Sequence, residues 1–243
     1  NNATMTYGAA TLPSLTATTA GLVNGDVLSG SLATTATAFN GASGSASNVG
    51  TYSISQGSIS AGSNYAITFV PGLLTVNPAT LTISGSAQSA VYGSGASLSS
   101  SAFTASGLVN GDSVSSVTAL YSGGASIPVT TNAGTYVNAI ALSAANGVGL
   151  SNYYINYVPA TLTITQAPLS ISANNQSMTY GSNALPSLTY AVSGLVNGDT
   201  LTGSLATTAT VYNGAAGSAS SVGTYSITQG TLAANSNYAV TFA

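Results

Sequence analysis

The chain has 243 residues, and among them there is no Lys, Arg, His, Glu, Cys or Trp; three Asp give a net charge of −3. With no cation to displace counterions from phosphates, nucleic-acid binding is excluded. With no Cys or His there is no zinc site or disulfide, and the 39 Ser have no neighbouring base to make one of them a nucleophile, so no enzyme is expected. Hydrophobic residues nevertheless make up 44% of the chain, too many for a disordered polymer, while no run approaches the ~18 apolar residues of a membrane helix.

In chain order the first landmark is Tyr7-Gly8, followed by Gly21-Leu22-Val23-Asn24-Gly25-Asp26. The latter predicts a short helical turn with Asp as N-cap before Val27-Leu28. Phe39-Asn40-Gly41 carries the Asn-Gly signal of a tight hairpin. Tyr52-Ser53-Ile54 and Tyr65-Ala66-Ile67-Thr68-Phe69 alternate apolar and polar, the period of half-buried strands. Pro71-Gly72-Leu73-Leu74-Thr75-Val76 closes this first set. The same landmarks then recur. Tyr-Gly returns at Tyr92 and Tyr180, the Gly-Leu-Val-Asn-Gly-Asp motif at Gly107 and Gly194, Gly-Thr-Tyr at Gly50, Gly134 and Gly223, and Asn-Tyr at Asn64, Asn152 and Asn237. Leu81-Thr82-Ile83 opens the second copy and Leu162-Thr163-Ile164 closes it; Leu169-Ser170-Ile171 opens the third. The repeats are therefore residues 1–78, 79–166 and 167–243, and residues 1–70 match 174–243 without a gap at 48 of 70 positions.

The phase predicts that the first copy lacks its opening strand and the third its closing strand. A window on a longer repetitive polypeptide is the simpler expectation; strands supplied by neighbouring chains are the alternative. Sustained helical spacing is absent, so each repeat is a small strand-dominated domain. Between copies only Asn77-Pro78-Ala79-Thr80 and Thr165-Gln166-Ala167-Pro168 intervene. Pro78 and Pro168 restrict the backbone there and predict a stiff rod of modules.

The ordered set of Tyr-Gly, Gly-Leu-Val-Asn-Gly-Asp, Gly-Thr-Tyr and Asn-Tyr, with Thr-Phe-Val-Pro-Gly-Leu-Leu-Thr-Val at the close, resembles the MBG repeats of the YG-containing type. Those occur in tandem in very large bacterial surface proteins and filamentous-haemagglutinin-like adhesins. The resemblance covers essentially the whole chain. It implies a cell-surface or extracellular protein of β-grasp-like modules that serve as stalk or filament, with adjacent repeats or neighbouring copies as partners. The middle copy departs from the pattern, with Ser97 to Ser101 in place of Leu-Pro-Ser-Leu and Asn156-Tyr157 in place of Thr-Phe. From the residues alone an immunoglobulin-like sandwich also suits the strand spacing, whereas a parallel β-helix would repeat at a far shorter period.

Asp26, Asp112 and Asp199 occupy one position of one motif. Each is expected to hold a turn by accepting backbone N–H bonds. A calcium site shared with Asn24, Asn110 or Asn197 would be weak, because calcium wants several carboxylates, so no cofactor is expected. Tyr52, Tyr136 and Tyr225 of Gly-Thr-Tyr read as anchors, ring in the core and hydroxyl on backbone. Tyr153, Tyr154 and Tyr157 form a cluster available for surface contact, with a glycan, a cell surface or another filament. A repeated binding module is therefore the second functional reading beside the structural shaft. Asn2 and Asn175 lie in glycosylation sequons, which a bacterial origin would leave unused. Threonine rows of the ice-binding kind lack a short-period array. Missing charge also removes the repulsion and edge lysines that oppose strand association, which predicts lateral bundling.

Overall fold

A computed structural model describes all residues, 1–243. The chain is mostly β, and its single helical element is one 3-10 turn, Leu150–Asn152. Two compact units are present: one comprises residues 1–86, 99–119 and 141–160, the other residues 87–98, 120–140 and 161–243.

The first repeat contains β1 (Ala3–Thr6), β2 (Ala33–Thr34), β3 (Gly50–Ser55) and β4 (Gly72–Asn77). They form one sheet in the order β1-β4-β3-β2, with β1 parallel and β3 antiparallel to the central β4. The second repeat is the complete one, with β5 (Ala79–Gly85), β6 (Gln88–Val91), β7 (Phe103–Ser106), β8 (Ser113–Tyr121), β9 (Gly134–Val148), β10 (Tyr153–Val158) and β11 (Ala160–Thr165). It has two sheets, β10-β5-β7 and β6-β11-β9-β8. The third repeat has β12 (Ala167–Ala173), β13 (Tyr190–Ser193), β14 (Ala206–Thr207), β15 (Ile227–Thr228) and β16 (Tyr238–Phe242), arranged as β13-β12-β16 and a residual pair β14-β15.

Alternation explains why these segments occupy sheet centres. Leu74 and Val76, Leu81 and Ile83, Leu162 and Ile164, and Leu169 and Ile171 point into the cores of β4, β5, β11 and β12, all 3% exposed or less. Such strands have partners on both edges and bury one full face, so they carry most of the apolar burial. One residue separates β4 from β5 (Pro78), and one separates β11 from β12 (Gln166). Pro168 lies inside β12, where β13 pairs only from Ser170 onward, so the N–H it lacks is not required on that side.

Equivalent stretches of the first and third repeats thus adopt different structures. Residues 65–69 form no strand in the first repeat, contrary to their alternation, whereas their counterpart Tyr238–Phe242 is β16. Residues 176–179 form no strand in the third repeat, whereas their counterpart Ala3–Thr6 is β1. The difference is the partner. β16 lies on β12 and β1 on β4, and residues 1–243 include no counterpart of β12 for the first repeat and none of β4 for the third. Edge strands of this kind form only when a central strand satisfies their backbone groups.

Two turn expectations are corrected. No helix starts at Asp26, Asp112 or Asp199. Each motif instead closes a Val-Asn-Gly-Asp turn, the Asp N–H donating to the Val carbonyl at 3.0 Å. Asn and Gly both have positive φ, 57° and 78° at Asn24-Gly25 and 61° and 83° at Asn110-Gly111, as a type I′ turn requires. The hairpin expected at Asn40-Gly41 is absent. There the Asn40 side chain accepts the Ala42 N–H at 3.0 Å in an Asx turn, and the chain turns back through a Ser47 N–H to Thr37 carbonyl bond at 3.1 Å without forming a strand ladder.

Candidate functional site

The polar side chains of greatest burial gather where one repeat meets the next. In the first unit, the type I′ turn sets Asp112 beside two tyrosines from different repeats. Tyr7 and Tyr153 each donate to Asp112 Oδ2 at 2.8 Å, and their rings meet edge to face at 5.5 Å. Asn110 Nδ2 donates to Tyr7 Oη at 2.8 Å, and its Oδ1 accepts the Ala46 N–H at 3.0 Å. The Val109 N–H donates to Tyr153 Oη at 2.9 Å. Asn152 completes the junction, its Oδ1 accepting the Val49 N–H at 2.9 Å and its Nδ2 donating to Asn48 Oδ1 at 3.0 Å. Asn110 and Asn152 are buried, and their amide bonds leave no polar atom orphaned.

The second unit repeats the arrangement between the second and third copies. Tyr92 and Tyr238 donate to Asp199 Oδ2 at 3.0 and 2.7 Å, with rings edge to face at 5.6 Å. Asn237 Oδ1 accepts the Ala133 N–H at 2.8 Å, and Nδ2 donates to Asn132 Oδ1 at 3.0 Å. Only Asn197 differs: it is exposed, and it donates to the Val129 carbonyl at 2.8 Å.

Gly of the Tyr-Gly pair is needed for approach as well as for turning. A Cβ on Gly8 would lie 2.5 Å from Val109 Cγ2, and one on Gly93 equally close to Val196 Cγ2. Both glycines also have positive φ, 79° and 82°.

Titration follows from this packing. Burial raises Tyr7 and Tyr153 above the ordinary tyrosine value, and the Asp112 carboxylate adds to the rise; Asn110 pulls Tyr7 and the Val109 N–H pulls Tyr153 the other way. Burial likewise raises Tyr238, with Asp199 contributing. Asp199 is lowered, first by the Tyr238 hydroxyl and then by that of Tyr92, partial desolvation opposing them.

The acidic residues therefore accept tyrosine hydroxyls, not the backbone N–H bonds expected of them. Asp26 has one such donor, Tyr65 at 2.7 Å, and is exposed. No three His, Cys, Asp or Glu come together anywhere in the chain. The Gly-Thr-Tyr residues bond backbone four residues upstream: Tyr52 to Asn48, Tyr136 to Asn132 and Tyr225 to Ser221, at 2.8, 2.9 and 2.7 Å. Their rings are only half-buried at Tyr52 and Tyr136 and exposed at Tyr225, so they are not core residues. The core tyrosines are Tyr7, Tyr92, Tyr153 and Tyr238, all 8% exposed or less. Sequence reasoning treated the Tyr-Gly and Asn-Tyr pairs as markers only, although their fixed place around Asn-Gly-Asp was the available signal. The expected tyrosine row is dispersed. Tyr153 belongs to the junction, Tyr157 accepts the Ala145 N–H at 2.8 Å, and only Tyr154 is fully presented to solvent, at 74%.

No helix is long and apolar enough to cross a membrane. No curated protein and no solved structure matches this sequence. A family model, the MBG domain of YGX type, matches residues 1–75, 81–163 and 169–243, one match per repeat, and the Tyr-Gly pair is the element that docks on the neighbouring repeat at both junctions. The chain belongs to the MBG domain family and consists of three of its repeats in tandem.

Proposed function

We propose that these repeats are the load-carrying shaft of a bacterial extracellular filament or giant surface adhesin, and that they catalyse nothing. The observation that supports this reading is the recurrence of one junction. The same Tyr-Gly, Asn-Gly-Asp and Asn-Tyr elements meet twice, with hydroxyl–carboxylate bonds of 2.7–3.0 Å in both. A chain that places two of its three formal charges and its most buried polar side chains where neighbours join is built to hold a fixed succession of modules. Its lack of Lys and Arg also leaves no site for trypsin-like proteases, which suits an exposed fibre.

Small-angle scattering tests the proposal. A compact chain of this length has a radius of gyration of about 18 Å. A shaft segment is expected well above that, with a cross-section that does not change with salt. A value near the compact one, or a distribution typical of beads on flexible tethers, overturns the shaft reading.

A further inference from the structure

The second repeat, which has a repeat on either side, ends one of its sheets on an open edge. In the order β10-β5-β7, β10 has β5 on one side and no strand on the other. Ser86 N–H donates to the Ala102 carbonyl at 2.9 Å, and the antiparallel β5–β7 register carries that alternation back to Ser84 and Thr82. Leu81 and Ile83 therefore turn their backbone groups to β10, where the parallel ladder takes up those of Tyr154, Asn156 and Val158. The N–H and C=O groups of Ile155 and Tyr157 are left pointing away from the sheet. Pro159 has the same parity, so β5 does not need the N–H it lacks. The outer face of β10 presents Tyr154, Asn156 and Val158, with Tyr154 74% and Val158 39% exposed. Tyr154 is peculiar to the middle copy: its counterparts are Ala66 and Ala239. No Gly, Pro or charged residue, the usual guards of an edge, lies within Tyr153–Val158.

We infer that β10 is a self-pairing edge: it joins the β10 of a second copy of this chain, antiparallel, about a two-fold axis at Asn156. In this register Ile155 and Tyr157 of one copy exchange N–H···O=C bonds with Tyr157 and Ile155 of the other, which satisfies the outward backbone groups of both. Asn156 meets its own copy in a non-hydrogen-bonded pair. Tyr154 lies across from Val158 on both sides of the axis, so each exposed apolar side chain is covered by an aromatic–β-branched pair. A slip by one residue would set the outer face of one copy against the inner face of the other. A slip by two leaves Tyr154 or Val158 opposite a residue beyond β10. No charge stands on β5, β7 or β10 to oppose the approach of like strands. The contact places side-by-side association on one strand, and it holds whether or not the repeats form a shaft.

The test uses the full chain, in which sedimentation should show concentration-dependent dimers and amide exchange at Ile155 and Tyr157 should slow at least about tenfold on dimerisation. The chain contains no Cys, so a single introduced one reports the contact. Paired Cα atoms at a non-hydrogen-bonded site lie about 4.5 Å apart, within disulfide range. Asn156→Cys should therefore give a disulfide-linked dimer under mild oxidation. Thr82→Cys, one strand further in on the same face, should not, because its two copies lie about 14 Å apart. Asn156→Lys and Asn156→Asp each set like charges against each other and should stay monomeric, and mixing the two should restore a dimer. Asn156 is exposed, so these variants keep the fold. Tyr154→Ala should weaken dimerisation roughly two- to thirtyfold, through the loss of both cross-strand pairs. A wild-type chain that stays monomeric at high concentration overturns the proposal. So does association undiminished in both charge variants, or equal crosslinking from positions 82 and 156. Saturable capture of a glycan or an unrelated strand at Tyr154 without self-association overturns it as well, because the occupant is then not a second copy.

Discussion

Replacing Asp112 by Ala separates the role of the carboxylate as a junction group from a merely local one. Two tyrosine hydroxyls lose their ionised acceptor, and bonds to charged groups are worth about 1.5–3 kcal/mol each. The losses are unequal. Tyr153 retains the Val109 carbonyl at 3.2 Å as another acceptor, whereas the Tyr7 hydroxyl, 3% exposed, donates to nothing else. Partial exposure of Asp112 also lets water replace some of the bond to Tyr153. The net cost should be about 2–3 kcal/mol, most of it the stranded Tyr7 donor. Asp26→Ala is the internal comparison: it removes one exposed bond, to Tyr65, which has the Val23 carbonyl at 3.3 Å in reserve, so about 0.5 kcal/mol is expected. In a chain of this size each kcal/mol moves the melting midpoint by about 2–4 °C. Calorimetry should therefore show a fall of about 4–12 °C for Asp112→Ala and roughly 2 °C or less for Asp26→Ala. Amide exchange should quicken at residues 44–49 and 107–112 only in the former. Equal shifts in the two variants would refute the junction argument, and a marked fall in the wild-type midpoint on adding EDTA would replace it with a cation site.

Gly8→Ala and Gly93→Ala should each cost about 2–3 kcal/mol, as a Cβ meets Val109 or Val196 on a backbone already at positive φ. Gly21→Ala, also at positive φ but with open space around it, should cost only about 1 kcal/mol; thermal melts of the three compare them directly. Stability should be flat from about pH 5 to about pH 9 and fall at both ends. Asp199 titrates below its unfolded value, so its contribution is present above the ordinary aspartate range and is lost as pH falls through the folded pKa. Tyr7, Tyr153 and Tyr238 titrate above theirs, so their contribution is complete below the ordinary tyrosine value of about 10 and is lost as pH rises through the raised folded pKa; melts across pH check both limbs. Asn152→Ala and Asn237→Ala should destabilise by about 1–3 kcal/mol by stranding the Val49 and Ala133 N–H groups, whereas exposed Asn64→Ala should be near neutral in denaturant unfolding.

The central strands were legible because their information is local: Leu81 and Ile83, or Leu162 and Ile164, announce a one-sided strand by alternation alone. Residues 65–69 show the limit of that reasoning. Their alternation matches β16 almost residue for residue, yet pairing needs a strand far away in sequence, and alternation cannot tell whether that strand is there. Asn-Gly misled in the same way. It signals two positive φ angles, which Asn24-Gly25 adopts in a type I′ turn, but at Asn40 the side chain captures the Ala42 N–H first. The place of the Asp residues was visible and their chemistry was not. Their partners lie about 40 and 105 residues away, at Tyr153 and Tyr7 for Asp112, a distance no local pattern spans.

The one-residue joints at Pro78 and Gln166 have a mechanical consequence. Tension applied along the backbone enters β5 from β4, and β12 from β11, without passing through any loop that could extend. β4, β5, β11 and β12 all lie between two hydrogen-bonded neighbours. Drawing one of them out lengthwise must break both flanking ladders together, in shear, while dragging its buried Leu and Ile or Val side chains across the core. Between β5 and β11 the shortest path is the β5–β10 ladder and the single residue, Pro159, that joins β10 to β11. A pulled chain should therefore yield in steps of a whole sheet.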